Sequence, residues 1–247
     1  MRFAILLALV ACGGTPRPPA AHPPALVDLG WLVGAWHADS FDERFAMASG
    51  TLWGVSLTGG GFEINELRER GGKIELFTTD GTEQLTLPLV TLGPDRVELG
   101  ASERVGFHRT GDQLHGDDPH GQTFAATRVS ETHAAEVEAA DLAFAAASAA
   151  RGADAWVEIM APGGALWRKA GRLEGVDAIR ADVAATLAAG ALAWKPLASG
   201  VRGEWGFTIG TYSFVPAGAS AQAAIGSYCT IWHRVDGAWR VAFDLGS

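Results

Sequence analysis

Lysine, tyrosine, methionine and cysteine are all scarce in this chain of 247 residues. There are three lysines (Lys73, Lys169 and Lys195), two tyrosines, three methionines and two cysteines. Nineteen Lys plus Arg against 28 Asp plus Glu leave a formal net charge of −9. A chain so poor in cations has no face suited to a phosphate backbone, so nucleic acid is a poor partner. Charged residues make up only 19% against 48% hydrophobic, which excludes a disordered or fibrous protein. What the chain has in plenty is glycine (32) and tryptophan (nine), which point to many tight turns and aromatic-lined interiors. Its length suits one large domain or two ordinary ones.

The first residues read as an address. Met1-Arg2 carries one positive charge, and Phe3 to Ala11 is a nine-residue apolar run. That run is too short to cross ~30 Å of hydrocarbon as a helix and fits the core of an export signal. Leu9-Val10-Ala11-Cys12 resembles the lipobox of bacterial lipoproteins. The resemblance implies a signal peptide over 1–11, lipidation of Cys12, and attachment to the membrane through that lipid anchor. The other reading is a plain secreted protein in which Cys12 is incidental. Gly13 after the cysteine favours the outer membrane by analogy with lipoprotein sorting; the periplasmic face of the envelope is the wider expectation. Residues 12–26 are too rich in proline for helix or sheet and form a tether. With Cys12 acylated, Cys229 has no disulfide partner. It reads as a small buried apolar residue, since a nucleophilic role needs a base and only His233 is close in sequence.

From 27 to 129 the punctuation is regular. Gly59-Gly60-Gly61, Gly71-Gly72, Asp80-Gly81, Gly93-Pro94-Asp95, Gly111-Asp112 and Asp117-Asp118-Pro119 separate short runs with period two, such as Ile74, Leu76 and Thr78. Short strands joined by Gly/Asp turns predict an all-β antiparallel barrel. Trp31-Leu32-Val33-Gly34-Ala35-Trp36, Asp42-Glu43-Arg44-Phe45 and Gly50 to Ser56 resemble an uncharacterised bacterial family with a lipocalin-like (calycin) barrel. Members carry an Asn-Pro-Glu-His-Asp-Phe-Pro type of stretch where this chain has Leu99 to Arg104, so no site transfers. His108, His115 and His120 lack metal-ligand spacing, and Asp117 and Asp118 lack the other ligands of a calcium loop, so no metal is expected. Trp31, Trp36 and Trp53 suit either the mouth of the barrel or its floor.

Residues 130–247 change register. Ser130 and Thr132 offer caps for a first helix running to Ala150, and Trp156, Ile159 and Met160 mark a second helix ended by Pro162-Gly163-Gly164. Val176, Ile179, Val183 and Leu187 stripe a third, after which strands are predicted over 193–198, 204–214, 225–235 and 239–245. Asp236-Gly237 marks a hairpin. Helices followed by a meander predict an α+β cone, with the helices packed on a curved antiparallel sheet. Asp141 and Phe144, Gly152 with Trp156, Ala165 to Arg168, Gly203 to Tyr212, Gly226 to Trp232 and Trp239 to Gly246 resemble the SnoaL-like members of the nuclear transport factor two-like superfamily. The resemblance implies an apolar pocket between sheet and helices and a homodimer through the sheet. It implies no single activity, because the fold hosts enzymes and binders alike.

The resemblance also says what an isomerase of this superfamily needs: a base carboxylate, a tyrosine on the first helix and a protonated acid facing the oxyanion. Ala165 to Lys169 has no carboxylate, the first helix no tyrosine, and Ile225 to Val235 no acid, so those three places are vacant. The pocket candidates are Trp167, Trp194, Trp205, Phe207, Tyr212, Tyr228 and Trp232. Strand alternation puts Tyr228, Thr230 and Trp232 on one face and Cys229, Ile231 and His233 on the other, and sets Trp239, Val241 and Phe243 against Arg240 and Asp244. The reading that follows is an envelope lipoprotein whose cone holds a small apolar or aromatic molecule, with no cofactor. Two alternatives stand beside it: an isomerase, dehydratase or hydrolase using Asp244 and His233, and a partner-binding structural lipoprotein.

Overall fold

The computed structural model describes residues 24–117, 122–218 and 224–246. Cys12, the leader and nearly all of the tether lie outside the described residues, as do Asp118, Pro119 and His120.

Ten strands make the first unit: β1 (Gly34–His37), β2 (Phe41–Ala48), β3 (Thr51–Thr58), β4 (Phe62–Arg70), β5 (Lys73–Thr79), β6 (Gln84–Gly93), β7 (Arg96–Leu99), β8 (Val105–Thr110), β9 (Gln113–Asp117) and β10 (Thr123–Val129). Each pairs antiparallel with the next, and β1 pairs with β10, so the meander closes into a barrel with no free edge. The turns fall where the Gly and Asp clusters stand. A 3₁₀ helix (Leu26–Leu32) inserts Leu29 and Leu32 into the barrel core beside Trp31 and Trp36. Two of the three early tryptophans therefore close the floor, and Trp36 Nε1 donates to the Leu32 carbonyl (2.9 Å).

The second unit is a six-stranded sheet, in spatial order β12-β11-β16-β15-β14-β13, with three helices on one face. The elements run α1 (Ala135–Arg151), α2 (Ala153–Ile159), β11 (Met160–Arg168), β12 (Gly171–Glu174), α3 (Val176–Ala189), β13 (Gly190–Arg202), β14 (Trp205–Pro216), β15 (Ala224–Val235) and β16 (Ala238–Gly246). Asp236 (φ 52°) and Gly237 (φ 78°) are both left-handed, as the two-residue hairpin between β15 and β16 requires. Some expectations are corrected. Ser130 and Thr132 do not cap α1, which starts at Ala135; the Ala134 N–H donates to Ser199 Oγ on β13 instead (2.8 Å). Met160 opens β11 instead of closing α2, and Pro162 to Gly164 lie inside that strand, where its register on β16 slips. β11 and β12 come before α3, and β11 runs parallel to β16, so the sheet is mixed and not the antiparallel meander expected, because the chain crosses the sheet between its first and last strands.

The two units share a core. The outer faces of β2 to β5 lie against the sheet face opposite the helices, and Trp53, Val55, Leu57 and Ile64 pack with Ile209, Cys229, Ile231 and Phe243. Trp53 is 0% exposed, and its Nε1 donates to Ser227 Oγ on β15 (3.0 Å). So Trp53 lines neither mouth nor floor: it leaves the barrel wall and enters the sheet. Phe62 packs on Trp205 and Phe243, and Phe77 on Trp167. The barrel thus covers the sheet face through which pairing was implied, and a homodimer through this unit would need another surface.

Candidate functional site

The site begins with one helix position. Val137, Asp141, Phe144 and Ser148 form the buried stripe of α1, so a carboxylate stands where an apolar side chain is the rule. Asp141 is 0% exposed. Its Oδ1 accepts from Trp194 Nε1 (2.8 Å) on β13, and its Oδ2 from the Tyr228 hydroxyl (2.5 Å) on β15. Thr208 of β14 donates to it as well, while Thr208 Oγ1 accepts from Trp232 Nε1 (3.0 Å). One carboxylate thereby fixes the orientation of three sheet side chains under the helix. Burial pushes its carboxyl up to about 6, against the lowering effect of its donors, and the nearby Asp244 charge adds to the rise. The Tyr228 hydroxyl is pushed up too, by burial first and then by the Asp141 charge.

Beyond this network lies a cavity of about 380 Å³ between sheet and helices. Phe144, Trp156, Trp194, Tyr212, Phe214 and Tyr228 supply its aromatic wall, and Phe144 meets Trp156 and Trp194 edge-on (4.8 and 5.1 Å between centroids). Gly210 allows the close approach behind it, since a Cβ there would stand 2.2 Å from the Lys195 carbonyl oxygen and 2.5 Å from the Tyr228 ring. Among the described lining residues only Arg168 and Asp244 carry charge. Asp244 Oδ2 accepts from Thr230 Oγ1 (2.8 Å), and Asp244 Oδ1 lies 3.9 Å from Arg168 Nη1. Arg168 Nε donates to Asp182 of α3 (2.8 Å), which holds the guanidinium at the rim. Burial raises the Asp244 carboxyl above its ordinary range; Arg168 and Thr230 oppose that rise.

A bulge explains how Asp244 arrives here. Ile231 pairs with Phe243 but Trp232 pairs with Val241, leaving Ala242 unpaired. The extra residue turns Phe243 to the barrel side and Asp244 to the cavity, so the strict alternation expected for β16 fails. On β15 the alternation holds: Tyr228 and Trp232 face the helices, Cys229 and Ile231 the barrel.

Of the aromatic residues proposed for the pocket, Trp194, Tyr212 and Tyr228 line it. Trp232 is buried in the layer behind, against Phe144. Trp167, Trp205 and Phe207 belong to the opposite face, packed with the barrel, because side chains one residue apart on a strand point to opposite sides. His233 also leaves the site: it pairs across with Arg240 and stacks on Trp205 (4.3 Å), on the barrel side. No Asp244–His233 couple forms. Sequence reasoning gave no site role to Asp141, although its place in an apolar stripe was a readable signal. It also overlooked the cavity-lining Phe144, Trp156, Thr186 and Phe214, which no local pattern sets apart. The isomerase pattern puts a tyrosine on the first helix and an acid on the strand; here an acid, Asp141, is on α1 and the tyrosine bonded to it, Tyr228, is on β15.

The model of the SnoaL-like domain family matches residues 142–242, less than half of the chain but most of the second unit. Over those residues the C-terminal unit is similar to that family. Among solved structures, an NTF2-like protein of unknown function from Shewanella oneidensis MR-1 is 12% identical, covering 46% of this chain and 97% of that one (TM-score 0.40). One from Pseudomonas putida KT2440 is 17% identical over 46% and 86% (TM-score 0.40). An NTF2-like protein with a cystatin-like fold from Novosphingobium aromaticivorans is 16% identical over 45% and 79% (TM-score 0.39). No curated protein matches.

Proposed function

We propose that the SnoaL-like unit binds a small, mostly aromatic or apolar molecule in the 380 Å³ cavity, with one polar group held by Asp244 and Arg168. The observation that carries this reading is the cavity itself: an aromatic wall with one charged pair placed side by side. Its volume falls in the range of small-molecule sites, and its few polar groups converge on one end, as orientation of a ligand requires. Asp244 offers an acceptor and Arg168 a donor, which together suit a hydroxyl or carboxamide on an aromatic body. Fluorescence and calorimetric titration of the full chain with phenols and aromatic amides tests it. Saturable binding that Leu192→Trp abolishes by filling the cavity supports the reading. Absence of binding across such a set refutes it.

One observation favours a second reading, catalysis. Asp244 is a buried carboxylate on the cavity wall with a raised pKa, the condition of a general base. On that reading Asp244→Asn abolishes turnover of a substrate whose binding it leaves in place. His233 has no part in it.

The envelope placement belongs to the same proposal and rests on the lipobox-like Leu9 to Cys12 and the proline-rich tether. Metabolic labelling with an alkynyl fatty acid tests it: label lost in Cys12→Ser supports the anchor, and label unchanged refutes it.

A further inference from the structure

The open end of the barrel holds a larger cavity, of about 740 Å³, and its lining is one-sided in charge. Glu43, Glu63, Asp80 and Asp117 face it, and no Lys, Arg or His is among the described lining residues. Glu43 is 4% exposed and stands on the inner face of β2, two residues before Phe45 of the barrel core. Its Oε2 accepts from Ser56 Oγ on the neighbouring strand, and its Oε1 has no hydrogen-bond partner among the described residues. A buried carboxylate oxygen without a donor is costly, and native proteins seldom leave one so. Phe41, two residues before Glu43 on β2, forms an edge-to-face cluster with Phe124 of β10 and Phe107 of β8, with Phe124 5.3 Å from Phe41 and 6.1 Å from Phe107. Among the described residues no group of three or more His, Cys, Asp or Glu is placed to hold a metal ion. A ligand that suits this lining brings a hydrogen-bond donor for Glu43, a positive charge to match the four acidic side chains, and an apolar body.

We infer that the barrel lumen is a second binding site, for a small organic ammonium ion with an aromatic or aliphatic body, whose N–H donates to Glu43 Oε1. The phenylalanine cluster takes the body of the ligand and offers ring faces to the cation. The acidic rim of Asp80 and Asp117 attracts cations and repels anions on the way in. Burial and the neighbouring Glu63 hold the Glu43 carboxyl well above the usual range, and an ammonium ion beside it reverses that rise.

The test uses calorimetry of the full chain with phenethylammonium, against neutral 2-phenylethanol, anionic phenylacetate and calcium chloride alone. Binding of the amine in preference to the other three is expected. Glu43→Gln keeps the shape and an acceptor for Ser56, and should weaken the amine roughly ten- to hundred-fold, the loss of a hydrogen bond to a charged group. Gly60→Lys provides a second variant that does not touch the barrel core. It puts a cation at the rim where a Cβ meets nothing within 4 Å, and should weaken the amine several-fold while sparing the alcohol. Leu192→Trp fills only the cavity of the other unit and should leave amine binding intact, so this site and the first stand or fall separately. Equal affinity for amine and alcohol, preference for calcium, or an amine affinity unmoved by both Glu43→Gln and Gly60→Lys overturns the inference.

Discussion

Replacing Asp141 by Asn should make the protein progressively more stable than the wild type as the pH rises from 4 to 7. The carboxyl moves from 3.8 to about 6 on folding, so the folded state holds its proton more tightly than the unfolded chain does. The stability this contributes is complete below the unfolded value and is lost as the pH rises through the folded one. Over that window the loss amounts to about 2–3 kcal/mol, at about 1.4 kcal/mol for each tenfold change in proton affinity. Asparagine carries no such dependence. Its oxygen still accepts from Trp194 and its amide can donate to Tyr228, so any mismatch enters as a constant offset and leaves the slope unchanged. Urea unfolding of both proteins at half-unit pH steps, with equal m-values, gives the difference directly. The wild type holds other raised carboxyls, but they cancel in the difference except for Asp244, whose charge adds to the rise at Asp141. An Asp244→Asn background should therefore flatten the slope in part. A difference that stays level between pH 4 and 7, or one that turns against the variant, refutes the account of Asp141 as a carboxylate kept buried at a cost.

Three further outcomes follow from the packing. Trp53→Ala should cost about 3–5 kcal/mol, the usual loss for a fully buried tryptophan, and urea melts followed by near-UV and far-UV circular dichroism should report it together. A cost under about 1 kcal/mol would mean that the barrel and sheet do not share a core, against the range typical of core truncations. Gly210→Ala should destabilise by about 1–3 kcal/mol or more through overpacking, because the obstacle is the Lys195 carbonyl and not a movable side chain. A melting temperature equal to that of the wild type would contradict it. Cys229 is fully buried with its thiol pushed up by that burial, so in Cys12→Ser protein a disulfide reagent should modify it only after denaturant is added. Rapid modification of the native protein would count against the shared core.

Much of the architecture was legible locally. Turn residues at Gly71-Gly72 and Asp80-Gly81 and the period of Ile74, Leu76 and Thr78 are enough to write a meander, because backbone conformation at a turn and side-chain alternation along a strand depend on neighbours in sequence. The alternation of β15 was readable for the same reason, and it held. β16 was not readable, because a bulge at Ala242 is set by how two strands fit across a curved sheet. That single unpaired residue turned Asp244 toward the cavity and Phe243 toward the barrel. The aromatic inventory had the same limit. Strand parity separates Trp167 from Arg168 but cannot say which face encloses a hollow and which meets another layer.

The sequence by itself determined that a β meander precedes an α+β unit, that few cations are available, and that aromatic side chains crowd the second half. These follow from composition and from interactions within a few residues. Only the tertiary structure decided that the barrel covers the open face of the sheet, that His233 and Asp244 stand on opposite sides of it, and that Glu43 and Asp141 are buried. Closing a barrel and stacking it on a sheet bring together groups far apart in the chain. Whether a carboxylate ends in water, against three donors or with an oxygen unpaired depends on those distant neighbours.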